Sequence, residues 1–280
     1  MTSVKPTEHS KSEFRDAHRH KKKAGRPPFA NVLSTCRKVV GESKMLQELV
    51  DKVQFHIPKI DKVRCLAIGS FHEDQPALYQ FALLLEICEI ISEQDPERPI
   101  QVSIYDPVFT DEDKEFIGKM GHHWSIDESS PWKASQASEV FFFLPHAPLD
   151  LTEHILSSEE PRLLLANHVV QHTDRYTKSR LFNTYPLMSK LLNSLSVQED
   201  ANDSSINNFG NDEDASFTPF VSRKNRRKSK IKYQEPTIDY DSVRSYFTKC
   251  TIVSDFQNGS LLRDMVWLNA FSDLSLHVIE

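Results

Sequence analysis

The sequence predicts an α/β protein: a single domain built on a Rossmann-like, doubly wound and mostly parallel sheet, with a disordered N-terminal arm and a charged insertion. Three observations carry this reading. Four short stretches, VRCLAI (63–68), IQVSIY (100–105), EVFFFLP (139–145) and RLLLAN (162–167), are apolar at nearly every position, the pattern of strands buried on both faces. Helix-length segments separate them, and strand–helix alternation specifies right-handed crossovers in a parallel sheet. Hydrophobic residues make up 39% and charged residues 26%, an ordinary globular balance, so disorder is expected to be local. The 280 residues allow one large domain with tails or two small ones at roughly 100–200 residues per domain. The charge runs described next favour the first.

Residues 1–28 lack apolar periodicity and close on KKKAGRPP, a basic run ended by two prolines, and read as a disordered basic arm. Residues 29–57 read as an N-terminal helical extension. Within it, 42–55 places Met45, Leu46, Leu49 and Val53 on one helical face, which suits a helix packed beside the sheet. The α/β domain then runs over 58–280. After the strand at 63–68 a helix is predicted over 76–92, started by Asp74 or Gln75 with Pro76. After the strand at 100–105 another is predicted over 111–120, with Thr110 as its start. Beyond the strands at 139–145 and 162–167, residues 179–195 read as one helix burying Leu181, Leu187, Met188, Leu191, Leu192 and Leu195. Residues 197–235 break the pattern with an acidic, Asn- and Ser-rich run followed by RKNRRKSK, and read as a disordered surface insertion. CTIVSDF (250–256) is a candidate further strand, and the C-terminal residues return to core-like composition.

Seven glycines are too few for repeated Gly-rich loops or flexible linkers. Cys36, Cys65, Cys88 and Cys250 form no C-x-x-C pair, and three sit in apolar segments, which fits free thiols in a reducing compartment. The polar N-terminus shows no secretory pattern, and the longest apolar run is broken by Glu86 and Glu89, so no membrane span is expected. Net charge is −6, and neither basic run is interleaved with aromatics, which argues against nucleic acid as a partner. The expected location is the cytoplasm, with nuclear entry through the basic runs as a second reading.

In an open parallel sheet, ligands gather outside the carboxyl ends of the strands, where strand order reverses. The polar residues just past each strand are therefore the candidates: Gly69 and Ser70, Asp106, His146, and Asn167 with His168. GSFHED holds one glycine of a G-x-G-x-x-G, and no G-x-x-x-x-G-K-[ST] occurs, which argues against a dinucleotide site and a P-loop. Gly69 can bind a ligand or simply permit a turn, with Ser70 bonded to nearby backbone. Asp106 is placed to accept hydrogen bonds from ribose hydroxyls, while Asp before Pro also favours a plain turn. His146, between two prolines, suits a general base or a loop hydrogen bond. Ser70 lacks the second glycine of G-x-S-x-G. HVVQH has Val where a zinc protease needs Glu, and His122 and His123 are adjacent, so metal binding is not expected.

The segments GSF (69–71), YDPVF (105–109), PHAP (145–148) and FSDLSLH (271–277) stand in the order of motifs that resemble the sensitivity-to-red-light-reduced-like family. The resemblance covers about residue 63 to the C-terminus, outside the charged insertion. It implies that Ser70, Asp106, His146, Asp273 and His277 fall on motif positions and line one site, with Asn167 similar to the asparagine at a family strand end. Ala147 stands where the family often has Cys, which removes any thiol role there. The family is associated with regulation: light and circadian signalling in plants, control of haem synthesis in animals, microtubule-related phenotypes in fungi. No established reaction comes with it. The expectation is a regulator, not obviously an enzyme, that binds a small molecule or protein partners. The alternative is an S-adenosylmethionine- or nucleotide-dependent enzyme, such as a methyltransferase, with an adenosine-containing ligand. No cofactor is identified by the sequence.

Overall fold

The computed structural model describes residues 27–94, 99–129, 139–196 and 237–280. The arm expected over 1–28, apart from its last two residues, and the insertion expected over 197–235 lie outside the described residues. Two helices open the described chain, α1 (Phe29–Gly41) and α2 (Lys44–Val53). Ser43 caps α2 by accepting from Leu46 N at 3.1 Å, satisfying one of the amides that a helix start leaves bare. Met45, Leu46, Leu49 and Val53 are all buried, as their spacing predicts.

The α/β alternation follows as β1 (Ile60–Leu66), α3 (Gln75–Gln94), β2 (Gln101–Tyr105), α4 (Asp111–Gly118), β3 (Trp124–Ile126), β4 (Glu139–Leu144), α5 (Leu149–Ser158) and β5 (Leu163–Asn167). Thr110 and Asp113 close α4 with a capping box, each side chain bonding the other's backbone. Next come α6 (Val169–Thr173), α7 (Lys178–Thr184), α8 (Pro186–Asn193) and β6 (Leu195–Ser196), then β7 (Cys250–Ser254) and β8 (Leu274–Ile279). The single helix expected over 179–195 is two, divided at Tyr185–Pro186. Proline has no amide to give and clashes with the preceding turn, so it starts a new helix instead of continuing the old one.

The strands of the described residues join one eight-stranded sheet in the order β3-β2-β1-β4-β5-β8-β7-β6. β3, β2, β1, β4 and β5 are mutually parallel. β8 runs antiparallel to both β5 and β7. Its direction follows from its connection: the loop 255–273 leaves β7 and enters β8 at the same edge, so the two strands must be antiparallel. β1 connects outward to β2 on one side while β4 lies on its other side, which puts the topological switch between β1 and β4.

Side chains alternate between two cores. One face carries Val63, Cys65, Val102, Ile104, Phe141, Phe143, Leu163 and Leu165 against α1 to α4 and buried residues of the 255–273 loop, including Trp267 and Phe271. The other carries Leu66, Val140, Phe142, Leu144 and Leu164 against α5, α7 and α8. All four cysteines are buried. Among the described residues no helix is long and apolar enough to cross a membrane.

Candidate functional site

The β1 end is a tight turn fixed by its own backbone geometry. Gly69 has φ +79°, and a Cβ there would stand 3.2 Å from Ala77 Cβ at the start of α3. Glycine is needed for both conformation and space. Asp106, at the end of β2, holds the turn: its Oδ2 accepts from Gly69 N at 2.8 Å and its Oδ1 from Val108 N at 3.0 Å. Only 8% of Asp106 is exposed. The carboxylate therefore ties the β1 loop to the β2 loop, and this geometry gives no support to its reading as a ribose acceptor.

Beneath this turn lies a polar group that the strand-end argument does not reach. Asp113 is fully buried. Its Oδ1 accepts from His72 N at 3.1 Å and stands 2.7 Å from His72 Nδ1, and its Oδ2 accepts from Thr110 N and Oγ1. Burial pushes this carboxyl up, but the hydrogen-bonding side chains of Ser70, His72 and Thr110, with the Thr110 amide, outweigh it and hold Asp113 below the usual carboxylate range. Ser70 is buried with its hydroxyl turned toward Asp113, without a hydrogen bond of good geometry. The His72 ring stacks on Phe29 of α1 at 3.8 Å between centroids, and Phe71 stacks on Phe81 of α3 at 4.1 Å. The GSF segment thus anchors α1 and α3 as well as turning the chain.

A second polar group lies at the ends of β4, β5 and β8. Asn167 Nδ2 donates to Ala147 O at 3.2 Å and meets His172 Nδ1 at 2.7 Å, which ties the PHAP loop to the end of β5. His146 itself is exposed. His168 caps α6 with extended backbone, and its amide donates to Asp273 O at 2.6 Å. Its ring meets that of His277 edge-on at 6.5 Å. His277 is nearly solvent-free, with Nδ1 3.3 Å from Leu164 O and Nε2 3.2 Å from Ser275 Oγ. Burial and the neighbouring His168 lower its pKa to about 4. Burial also lowers His168, against the pull of Asp255 and Asp273, and lowers His172, against Asp273. These imidazoles are neutral at pH 7.

The predicted residues consequently fall into two groups. Gly69, Ser70 and Asp106 belong to the β1/β2 end. Asn167, Asp273 and His146 belong to the β4/β5/β8 end. Four strand spacings of about 4.8 Å separate β2 from β8, about 19 Å in all, so Asp106 and Asp273 do not meet on one small ligand. His277 pairs with Leu164 while Asn167 pairs with Leu274, so His277 lies three residues inside the sheet, below the open edge where the motif would put it. HVVQH is helical from Val169, with His172 N donating to the N-cap His168 O at 2.9 Å, and the His172 ring is engaged by Asn167 Nδ2. Among the described residues no group of three or more His, Cys, Asp or Glu side chains could hold a metal.

Reasoning along the sequence passes over His72, Asp113 and Asp255. Thr110-x-x-Asp113 is a capping-box pattern and was a legible signal for Asp113. Nothing local marks the other two. A groove of about 520 Å³ lies between α1, α3 and α4, lined by residues including Leu33, Arg37, Glu86 and Phe116. None of its lining comes from a strand-end loop, so it stands apart from the residues above. Among known families, a model described as the SRR1 domain matches residues 46–278.

Proposed function

Because this chain belongs to the SRR1 domain family, we propose that it works as a regulator: its Rossmann-like domain binds a small molecule at the carboxyl edge of the sheet and presents the bound state to protein partners, without catalysing a reaction on it. One observation carries the reading. At the end of β5 two consecutive residues leave buried polar atoms without a hydrogen-bond partner, Asn167 Oδ1 and His168 Nδ1. Native proteins seldom leave such atoms bare, and these stand at the edge where sheets of this architecture bind ligands. The family's association with signalling, haem synthesis and microtubule-related phenotypes fits a regulator. The proposed location is the cytoplasm, with the nucleus second.

A nucleotide- or S-adenosylmethionine-dependent enzyme is the second reading, favoured by the switch between β1 and β4, where nucleotide-handling proteins of this architecture place their ligand. The engagement of both Asp106 oxygens by backbone amides weighs against it. A thermal-shift panel on the full chain separates the two, using S-adenosylmethionine, its demethylated product, nicotinamide dinucleotides, nucleotides and haem. A ligand at about 100 times its dissociation constant adds about 2.7 kcal/mol, or about 5–11 °C in a domain near this size. Stabilisation without turnover supports the regulator. Stabilisation by an adenosine cofactor with group transfer to an acceptor supports the enzyme. A panel that stabilises nothing removes the small-molecule part of the proposal.

A further inference from the structure

Exposed apolar side chains are unevenly spread over this molecule. Among the described residues seven large ones are exposed, and six of them, Val108, Ile126, Val170, Met265, Val266 and Leu268, stand at or past the carboxyl ends of strands; Phe55 is the exception. The loop 255–273 shares that edge with the end of β5, because β8 runs antiparallel to both β5 and β7. Three of the six belong to one turn of that loop: Met265 is 41% exposed, Val266 59% and Leu268 62%. Single apolar residues at a surface are ordinary, whereas three within four consecutive positions make a patch.

The turn is built to hold them outward. Trp267, between Val266 and Leu268, is buried, donates from Nε1 to Leu262 O at 2.9 Å and meets Phe271 edge-on at 5.6 Å. With that ring anchored inside, its two neighbours are left in solvent. Asp264 and Leu268 bracket the turn at φ +56° and +54°, a left-handed conformation that bulky residues avoid and that persists only where the surrounding structure imposes it, often at functional contacts. The far end of the loop is tied down by Gln80 Nε2 donating to Ala270 O at 2.7 Å and by His168 N donating to Asp273 O at 2.6 Å. The turn is thereby joined to α3 and to the end of β5.

The charge along this edge is negative. Segments 67–74, 106–112 and 127–129, which follow β1, β2 and β3, contain no lysine or arginine, and Glu73, Asp74, Asp111, Glu112 and Glu128 are exposed on them. Asp255, Asp264 and Asp273 of the 255–273 loop stand against one cation, Arg263. Its guanidinium lies back over Gly259, with Nη2 3.1 Å from where a Cβ there would be. The cations Arg175 and Arg180 stand beyond β5, over the Tyr176 ring.

We propose that the turn 264–268 is the docking contact for a protein partner that offers an apolar pocket rimmed by lysine or arginine. Met265, Val266 and Leu268 enter the pocket, and the acidic edge meets the rim. This rests on the reading of the chain as a regulator that presents its bound state to protein partners, and it names the surface that does so. A membrane rich in anionic lipid is repelled by the same charge.

The test uses the full-length chain carrying the photocrosslinker p-benzoylphenylalanine at position 266, or at position 55 as a control for exposed apolar surface, irradiated in the cells that make it. A protein captured from 266 and not from 55 is then purified and titrated by calorimetry against the unmodified chain. Val266→Ser joined to Leu268→Asn, which keeps a residue tolerant of positive φ, should weaken that binding by about tenfold or more with the melting temperature unchanged. Asp264→Asn should weaken it too and flatten its dependence on salt. Capture of nothing, of the same proteins from both positions, or of a second copy of this chain overturns the proposal. So does a captured protein indifferent to both variants. If such a protein still changes affinity with a ligand from the thermal-shift panel, the regulator reading stands with its contact elsewhere, and this inference alone falls.

Discussion

Glu159→Ala should be among the most destabilising single substitutions in this protein, because it strands a buried cation. Arg64, in the middle of β1, is fully buried, and the Glu159 side chain just past α5 is 5% exposed. All five N–H groups of Arg64 are used. Nε and Nη2 meet the two Glu159 oxygens at 3.3 Å, Nη1 reaches Ser103 Oγ at 2.6 Å and Asp127 O at 2.7 Å, and Nη2 also reaches Glu128 O at 2.9 Å. Removing the carboxylate leaves a guanidinium with no counter-charge in the interior, which costs about 3–5 kcal/mol. In a domain of this size each kcal/mol is worth about 2–4 °C, so the midpoint should fall by about 6–20 °C. Urea unfolding at pH 7, with the slope checked for constancy, measures it directly. The double variant Arg64→Met with Glu159→Leu should not restore wild-type stability, because the carbonyls of Asp127 and Glu128 and the Ser103 hydroxyl lose their donor, at about 1–3 kcal/mol each. A loss below about 1 kcal/mol for Glu159→Ala would refute the reasoning, since it would mean that water reaches the guanidinium.

Two further predictions follow from the strand ends. His277 has a folded pKa of about 4 against about 6.5 when unfolded, so between these values only the unfolded chain carries the proton. Stability is therefore unaffected above about pH 6.5 and falls by about 3 kcal/mol as pH drops to about 4; wild type and His277→Gln, unfolded in urea across that range, should differ in slope, and parallel curves would count against it. Asp106→Asn leaves one acceptor oxygen for two amides, so either Gly69 N or Val108 N faces an NH2 group and goes unpaired. The variant should lose about 1–3 kcal/mol with no ligand present, whereas an unchanged melting temperature joined to weaker ligand binding would restore the ribose reading.

Much of the architecture was legible along the chain. Runs apolar at nearly every position read as strands buried on both faces, and VRCLAI, QVSIY, EVFFFL and LLLAN fall on β1, β2, β4 and β5, with β1 starting three residues earlier, at Ile60, and ending at Leu66. Thr110 and the Met45–Val53 stripe marked helices by local chemistry alone. The four ordered motifs pointed to the family, because they combine residues too varied to recur together by chance. LSLHVI was not legible as a strand: its direction and its place between β5 and β7 depend on the loop 255–273, and that loop depends on distant packing. It begins with Phe256, Gln257, Asn258 and Gly259, all at positive φ, a conformation costing about 1–2 kcal/mol per non-glycine residue that no local signal would assign. Burial of Phe256, Trp267 and Phe271 against α3, with Gln80 Nε2 donating to Ala270 O at 2.7 Å, offsets that cost.

The roles of the polar residues divide the same way. Sequence placed Asp106 and Asn167 at strand ends because hydrophobic runs stop there. Whether each carboxylate or amide faces a neighbour or the open edge depends on which loops fold against it. Asp106 was taken up by Gly69 and Val108, Asp113 by His72 and Thr110, and Arg64 found its counter-charge ninety-five residues away. Asn167 Oδ1 and His168 Nδ1 were left over. Strand order and burial follow from patterns repeated along the chain, but hydrogen-bond partners follow from which segments meet in space, and only the tertiary structure decides that.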